Sequence, residues 1–204
     1  MPAPNDYHFV SRWRVEGTCG EVADLLGDPL ALPRWWPSVY LDVQELEPAD
    51  SRGVGRRVEL LTKGWLPYTL RWEFVVLESR YPYGLTIAAS GDFVGRGVWT
   101  FEQDGRFVDI TYDWRIRAEK PLLQRLSFLL KPAFEANHRW AMSQGQASLD
   151  LELRRRRATS AAALSAVPLP PGPITYKAAA LVAAAVAVGA GLGFLIVKSR
   201  RGRR

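Results

Sequence analysis

The sequence predicts an α+β protein: a curved antiparallel sheet wrapped around one long C-terminal helix, followed by a single transmembrane helix. Three observations carry this. Between residues 7 and 117, short segments alternate apolar and polar side chains with the period of two that a half-buried strand requires. Residues 121–154 then change to helical periodicity and have only the sheet to pack on. Finally, residues 178–197 are twenty side chains without a charge. At about 1.5 Å per residue such a run matches the roughly 30 Å hydrocarbon core of a bilayer.

Tyr7 to Glu16 places Tyr7, Phe9, Ser11, Trp13 and Val15 on one strand face and His8, Val10, Arg12, Arg14 and Glu16 on the other. Thr18 and Glu21 have capping-box spacing and predict a helix to about Leu26, which Gly27, Asp28 and Pro29 break. A second short helix, Leu30 to Trp35, stops before Pro37, and Trp35-Trp36 forms an aromatic corner. Strands are predicted at Tyr40–Leu46, Arg56–Thr62, Tyr68–Ser79, Gly84–Ala89, Phe93–Gln103 and Arg106–Arg117. Glycine and proline turns separate them, and Asp104-Gly105 is a two-residue hairpin signal. Connections this short exclude helical crossovers, so the strands form a meander. Pro121 opens the long helix. Leu122, Leu126, Leu129, Ala133, Trp140, Gln144 and Leu151 are its predicted apolar face, and Pro132 is expected to kink or split it.

Charge divides the chain. Residues 1–153 hold all 21 acidic residues and 17 of the 27 basic ones, a net −4; residues 154–204 hold ten basic residues and no acid, a net +10. The domain alone carries no basic stripe, so a pI near 9.7 does not predict nucleic-acid binding. The organisation read from this is a domain at 1–153, a basic and Ala/Pro-rich linker at 154–176, and a span with basic tail at 177–204. Val167 to Pro173 is expected to be a stiff, extended spacer. A single cysteine, Cys19, excludes an intramolecular disulfide framework.

Aromatic load marks the candidate site, since all eight tryptophans precede residue 154. Tyr68, Leu70, Trp72, Phe74 and Val76 share one face of the longest strand. Phe93, Gly95, Gly97, Trp99 and Phe101 share a face of another, and Val108, Ile110, Tyr112, Trp114 and Ile116 of the last. One helix is too little to fill the trough of such a sheet, so the space is either packed by the rings or left as an apolar cavity of a few hundred Å³. Candidate ligand-binding residues are Trp35, Trp36, Tyr68, Trp72, Phe74, Trp99, Phe101, Tyr112, Trp114 and His138, with an entrance expected near Trp35 and Trp36. For any one tryptophan the plain alternative is core packing. No metalloprotease, CxxC, phosphate-loop or nucleophile-elbow motif is present, and neither a metal site nor a cofactor is expected. His138 is the one side chain suited to acid–base work near neutrality, and no acid or nucleophile is spaced to orient it.

Residues 6–153 resemble the START-like (SRPBCC) superfamily, which includes polyketide cyclase/dehydrase and lipid-transport proteins. The resemblance rests on three stretches. They are Leu32-Pro33-Arg34-Trp35-Trp36-Pro37, then Gly97-Val98-Trp99-Thr100-Phe101, then Lys131-Pro132-Ala133-Phe134 with Asn137-His138 and Met142-x-x-Gly145. It implies a helix-grip fold and a sheet–helix cavity for lipids, sterols, polyketides or quinones. The span and proline spacer depart from that pattern. Three functions stay open: a membrane-tethered carrier of a hydrophobic small molecule or lipid, a cyclase/aromatase-type enzyme using the same cavity, and a cavity-free interaction module. The absence of a catalytic constellation favours the first.

Five basic residues follow the run, and only Lys177 immediately precedes it, which would place the C-terminus in the cytoplasm. No signal segment is visible before the domain, and this outweighs the charge rule, so the domain is expected to be cytoplasmic, with Arg154 to Arg157 resting on anionic headgroups. Gly189 and Gly193 have GxxxG spacing, which permits a homodimer through the span.

Overall fold

The computed structural model describes residues 5–119 and 121–174, the side chains of 121–130 excepted. The expected span at 178–197, with Gly189 and Gly193, lies outside the described residues. Among those that are described, no helix is long and apolar enough to cross a membrane.

Strand β1 (Asp6–Glu16) leads into α1 (Cys19–Leu26), a 3₁₀ turn (Pro29–Ala31) and α2 (Leu32–Trp35). Six strands follow: β2 (Tyr40–Glu47), β3 (Arg57–Lys63), β4 (Thr69–Ser79), β5 (Gly84–Gly91), β6 (Phe93–Asp104) and β7 (Phe107–Ala118). The chain then forms α3 (Pro121–Arg157) and α4 (Ala161–Ser165). All seven strands make one antiparallel sheet in the order β1-β7-β6-β5-β4-β3-β2. The meander thus holds, and β1 closes onto the last strand.

The capping box forms as expected: Glu21 N donates to Thr18 Oγ1 and Thr18 N to Glu21 Oε2. The hairpin signal is displaced by one residue. Asp104 pairs with Phe107, so Gly105-Arg106 is the two-residue loop. Gly105 has φ +57 and Arg106 does not have positive φ, the arrangement of a type II′ turn with glycine first.

Alternation places the rings as the sequence predicts. Tyr7, Trp13, Val15, Trp72, Trp99, Phe101, Tyr112 and Trp114 are buried on the concave face, whereas His8 is exposed and meets Asp113 on the outer one. Gly97 makes room for two of these rings, since a Cβ there would stand 2.7 Å from Tyr112 Oη and 2.9 Å from Trp114 Cε3.

Helix α3 differs from expectation twice. It continues through Pro132 instead of splitting there, and it runs on to Arg157. Its buried face is also rotated from the predicted one. Met142, Gly145, Ser148, Leu149, Glu152 and Leu153 are buried, whereas Ala133, Trp140, Gln144 and Leu151 are half-buried. The reason is the partner surface. A Cβ at Gly145 would overlap the Trp36 indole, so the helix presents its smallest residue to that ring. Glu152, 3 % exposed, is held by Arg34 (3.0 and 2.8 Å) and by Arg156 (3.2 Å), tying α2 to α3. Burial pushes the Glu152 carboxyl up, but the two guanidiniums outweigh it and hold the group below its ordinary value.

The basic cluster after Leu153 works within the protein. Arg157 clamps Glu21 (2.7 and 2.8 Å) and the Glu16 carbonyl, Arg156 meets Glu152, and Arg155 donates to the carbonyls of Val167 and Pro168. With Arg154 at 3.8 Å from Asp150, all four arginines expected at headgroups are therefore engaged in contacts within the protein. The linker contains the short α4, capped by Ser160, and has no helix or strand at 166–174.

Candidate functional site

A cavity of about 130 Å³ lies between the concave face of the sheet and the middle of α3.

 Phe134, His138, Ala141 and Met142 form its helix wall, Tyr112, Trp114 and Ile116 of β7 its floor, and Leu70 and Trp72 of β4 one side. Tyr7 and Phe9 of β1 close the other side, and Trp36 and Tyr40 lie beneath the Gly145 contact end of the helix. Aromatic contact holds these walls in place: Tyr112 stacks on Trp99 at 3.9 Å, and Trp72 leans on Trp114 at 5.7 Å.

Apart from the Lys63 ammonium, which donates to the Ile174 carbonyl, the polar groups in this lining are neutral. Burial raises the phenols of Tyr40, Tyr68 and Tyr112, with the neighbouring Tyr7 adding to the effect on Tyr68 and Tyr40 to that on Tyr112. All three therefore keep their protons and remain donors. Burial, and secondarily the charge of Arg139, lowers His138 to about 4, so its imidazole is neutral at pH 7. Its ring stacks on Phe9 at 4.0 Å, and its Nε2 lies 3.3 Å from Ser11 Oγ. Among the described residues, no carboxylate lines the cavity. Thr62 accepts from Trp72 Nε1 at 3.1 Å, which fixes that indole. Asn137 Oδ1 accepts from the backbone of Trp65 (2.9 Å) and Leu66 (3.2 Å), which pins the β3–β4 loop to α3.

Six of the ten predicted residues line this cavity: Trp36, Tyr68, Trp72, Tyr112, Trp114 and His138. Trp35 and Trp99 do not, being packed into the core. Phe74 and Phe101 line a second, more open hollow of about 520 Å³ instead, beneath the α1–3₁₀ junction and the β2–β3 connection. The cavity itself is smaller than expected, because Tyr7, Phe9, Phe93 and Phe134 fill part of the trough. The expected entrance near Trp35 and Trp36 is also corrected, since both indoles are buried. The partly exposed lining residues include Tyr68, Phe134 and Asn137, so the cavity has an opening between the β3–β4 loop and α3.

Sequence reasoning missed Tyr7, Phe9 and Phe93 as lining residues, although the shared strand face was a usable signal. Lys63 gave none. Its Nζ donates to the carbonyl of Ile174 at 3.1 Å, a contact set by residues more than a hundred positions away.

No protein-family model and no curated protein matches the sequence. Solved structures do share the architecture. A Thermus thermophilus protein is 13% identical with a TM-score of 0.60, over 74% of this chain and 100% of that one. The Zhui aromatase/cyclase of a Streptomyces species is 16% identical with a TM-score of 0.57, over 76% of this chain and 98% of that one. This chain shares their fold, a curved antiparallel sheet with a long helix. The di-domain ARO/CYC protein BexL shares it too, at 13% identity and a TM-score of 0.52, over 82% of this chain and 52% of that one. At these identities the likeness is one of fold alone.

Proposed function

We propose that the protein binds an apolar, ring-containing small molecule between sheet and α3, and that residues 178–197 anchor it to a membrane. The observation that carries the binding reading is an aromatic-walled cavity whose polar groups, Lys63 apart, are neutral hydroxyls, the Asn137 amide and a neutral imidazole. Such walls favour a flat apolar body, and the phenols can donate to a carbonyl or hydroxyl on it. A dry cavity of about 150 Å³ takes a benzene ring. The observed volume of about 130 Å³ thus suits one ring as it stands, and a larger ligand requires Phe134 or Met142 to move. The anchor rests on the uncharged run of the sequence.

Extraction of the purified protein followed by mass spectrometry identifies a bound ligand directly. Ala141→Trp places an indole in the cavity and should abolish binding of an apolar fluorescent dye while leaving the thermal transition cooperative. Undiminished dye binding in that variant would remove the cavity from the reading.

A second reading, catalysis of the aromatase/cyclase type, draws support from the fold likeness to Zhui and BexL and from the pair His138 and Ser11 beside the cavity. Ring closure of a poly-ketone needs a shaped enclosure and a group that moves a proton. Turnover of a poly-β-ketone by the protein, lost in His138→Gln with dye binding kept, would select this reading over simple binding.

A further inference from the structure

The chain between α3 and residue 174 is fastened to the domain. Arg155 donates to the carbonyls of Val167 (3.2 Å) and Pro168 (2.9 Å), and Lys63 Nζ donates to that of Ile174 (3.1 Å). Lys63 and Gly64 belong to the cavity lining, and the loop that follows them is pinned by Asn137. The linker therefore leads the chain away from the far end of α3 and back to the lip of the cavity. Helical rise puts Arg155 about 27 Å along the axis from Asn137, so the return covers most of the domain.

Ile174 is four Cα steps from Ala178, where the uncharged run begins. Four steps span at most about 14 Å, while the interfacial layer on each side of a bilayer is about 5–8 Å thick. With the run in the membrane, the cavity lip has no room to lie far from the headgroups. The lip also has suitable chemistry. Residues 64–68, Gly-Trp-Leu-Pro-Tyr, and residues 167–174, Val-Pro-Leu-Pro-Pro-Gly-Pro-Ile, contain no charged side chain. These two segments bring no ion to be stripped of water, and Lys63 beside them is already engaged with the Ile174 carbonyl; Trp and Tyr are the residues enriched at interfacial depth.

We propose that the mouth of the cavity faces the surface of a phospholipid bilayer, held there by the linker, and that the ligand is a molecule dissolved in that bilayer. This rests on the binding reading above and deepens it by naming where the ligand comes from. The arginines at the end of α3 lie at the opposite end of the domain and do not set the orientation.

The test uses the full chain in phosphatidylcholine/phosphatidylglycerol vesicles, with Cys19→Ala and a single cysteine introduced by Pro67→Cys at the lip or by Arg106→Cys at the far hairpin. Each cysteine carries an environment-sensitive fluorophore, and each variant must keep the parent's melting temperature. Spin-labelled lipids should quench the label at 67 several-fold more than the label at 106. A flexible Gly/Ser insertion after Ile174 of about 20 residues, adding roughly 25 Å of reach, should remove the difference. Equal quenching at both positions, or a chain that vesicles do not retain, would overturn the proposal. Failure of the binding reading shows separately, as a detergent-solubilised chain that takes up no apolar dye while the quenching difference persists.

Discussion

Mild acid isolates one buried group. His138 titrates at about 4 in the folded protein against an ordinary 6.5, because burial and then the charge of Arg139 oppose its protonation. A lowered folded value means that protonation favours unfolding. Stability is whole above pH 6.5, falls as the pH drops through the window, and reaches its floor near 4, where both states are charged. At about 1.4 kcal/mol per unit, the gap from 6.5 to about 4 is worth on the order of 3 kcal/mol, of which about 2 is gone by pH 5. The carboxylates with lowered values, Glu21, Asp50, Asp113 and Glu152, lose their contributions only below about 4.5 and leave the range from pH 7.5 to pH 5 clear. Urea unfolding of the detergent-solubilised protein, followed by tryptophan fluorescence, should show a loss of about 2 kcal/mol between pH 7.5 and pH 5. His138→Gln should be nearly flat over the same range. An equal loss in protein and variant would refute the reasoning, as would no loss in either.

Three further outcomes are expected. Gly145→Ala should destabilise by about 1–3 kcal/mol through overlap with Trp36, although alanine favours a helix by about 1 kcal/mol over glycine; a raised melting temperature would show that the contact is slack. Arg34→Ala leaves buried Glu152 with Arg156 alone and should cost about 2 kcal/mol at neutral pH, less than for a fully buried pair because Arg34 is half exposed. Since the Glu152 carboxyl is held low, that difference should shrink as the pH falls below about 4.5, and a pH-independent difference in denaturant midpoint would contradict the assignment. Lys63→Met removes the donor to Ile174 and should speed proteolytic cleavage within residues 166–174 with little change in the domain's melting temperature.

The strands were legible because alternation is a local property: each ring on β4, β6 and β7 lies on the face that its parity dictates. Parity does not say where along the trough a side chain falls. That is why Phe74 and Phe101, on the correct face, line the second hollow and not the first. The face of α3 was misread for a different reason. Its contact residues include Gly145, Ser148 and Glu152, which look solvent-facing until Trp36 and Arg34 are placed opposite them. Asn137 stood out in the sequence, yet its task as acceptor for the β3–β4 backbone depends on a loop some seventy residues earlier.

Among the described side chains of α3, those around residues 131–142 and those toward the C-terminus are fastened unequally. Toward its C-terminus the helix is held by Arg157 on Glu21, by Glu152 between two arginines, and by the close seat of Gly145 on Trp36. Around residues 131–142 it is held by ring contacts of Phe134 and His138, by Asn137, and by Lys131 on the Asp6 carbonyl. Local opening then costs less at the cavity end than at the ionic end, so amide hydrogens near Asn137 should exchange through small excursions while those near Leu149 wait for global unfolding. Opening of this kind would pivot the helix near Gly145 and admit a ligand without breaking the ion pairs.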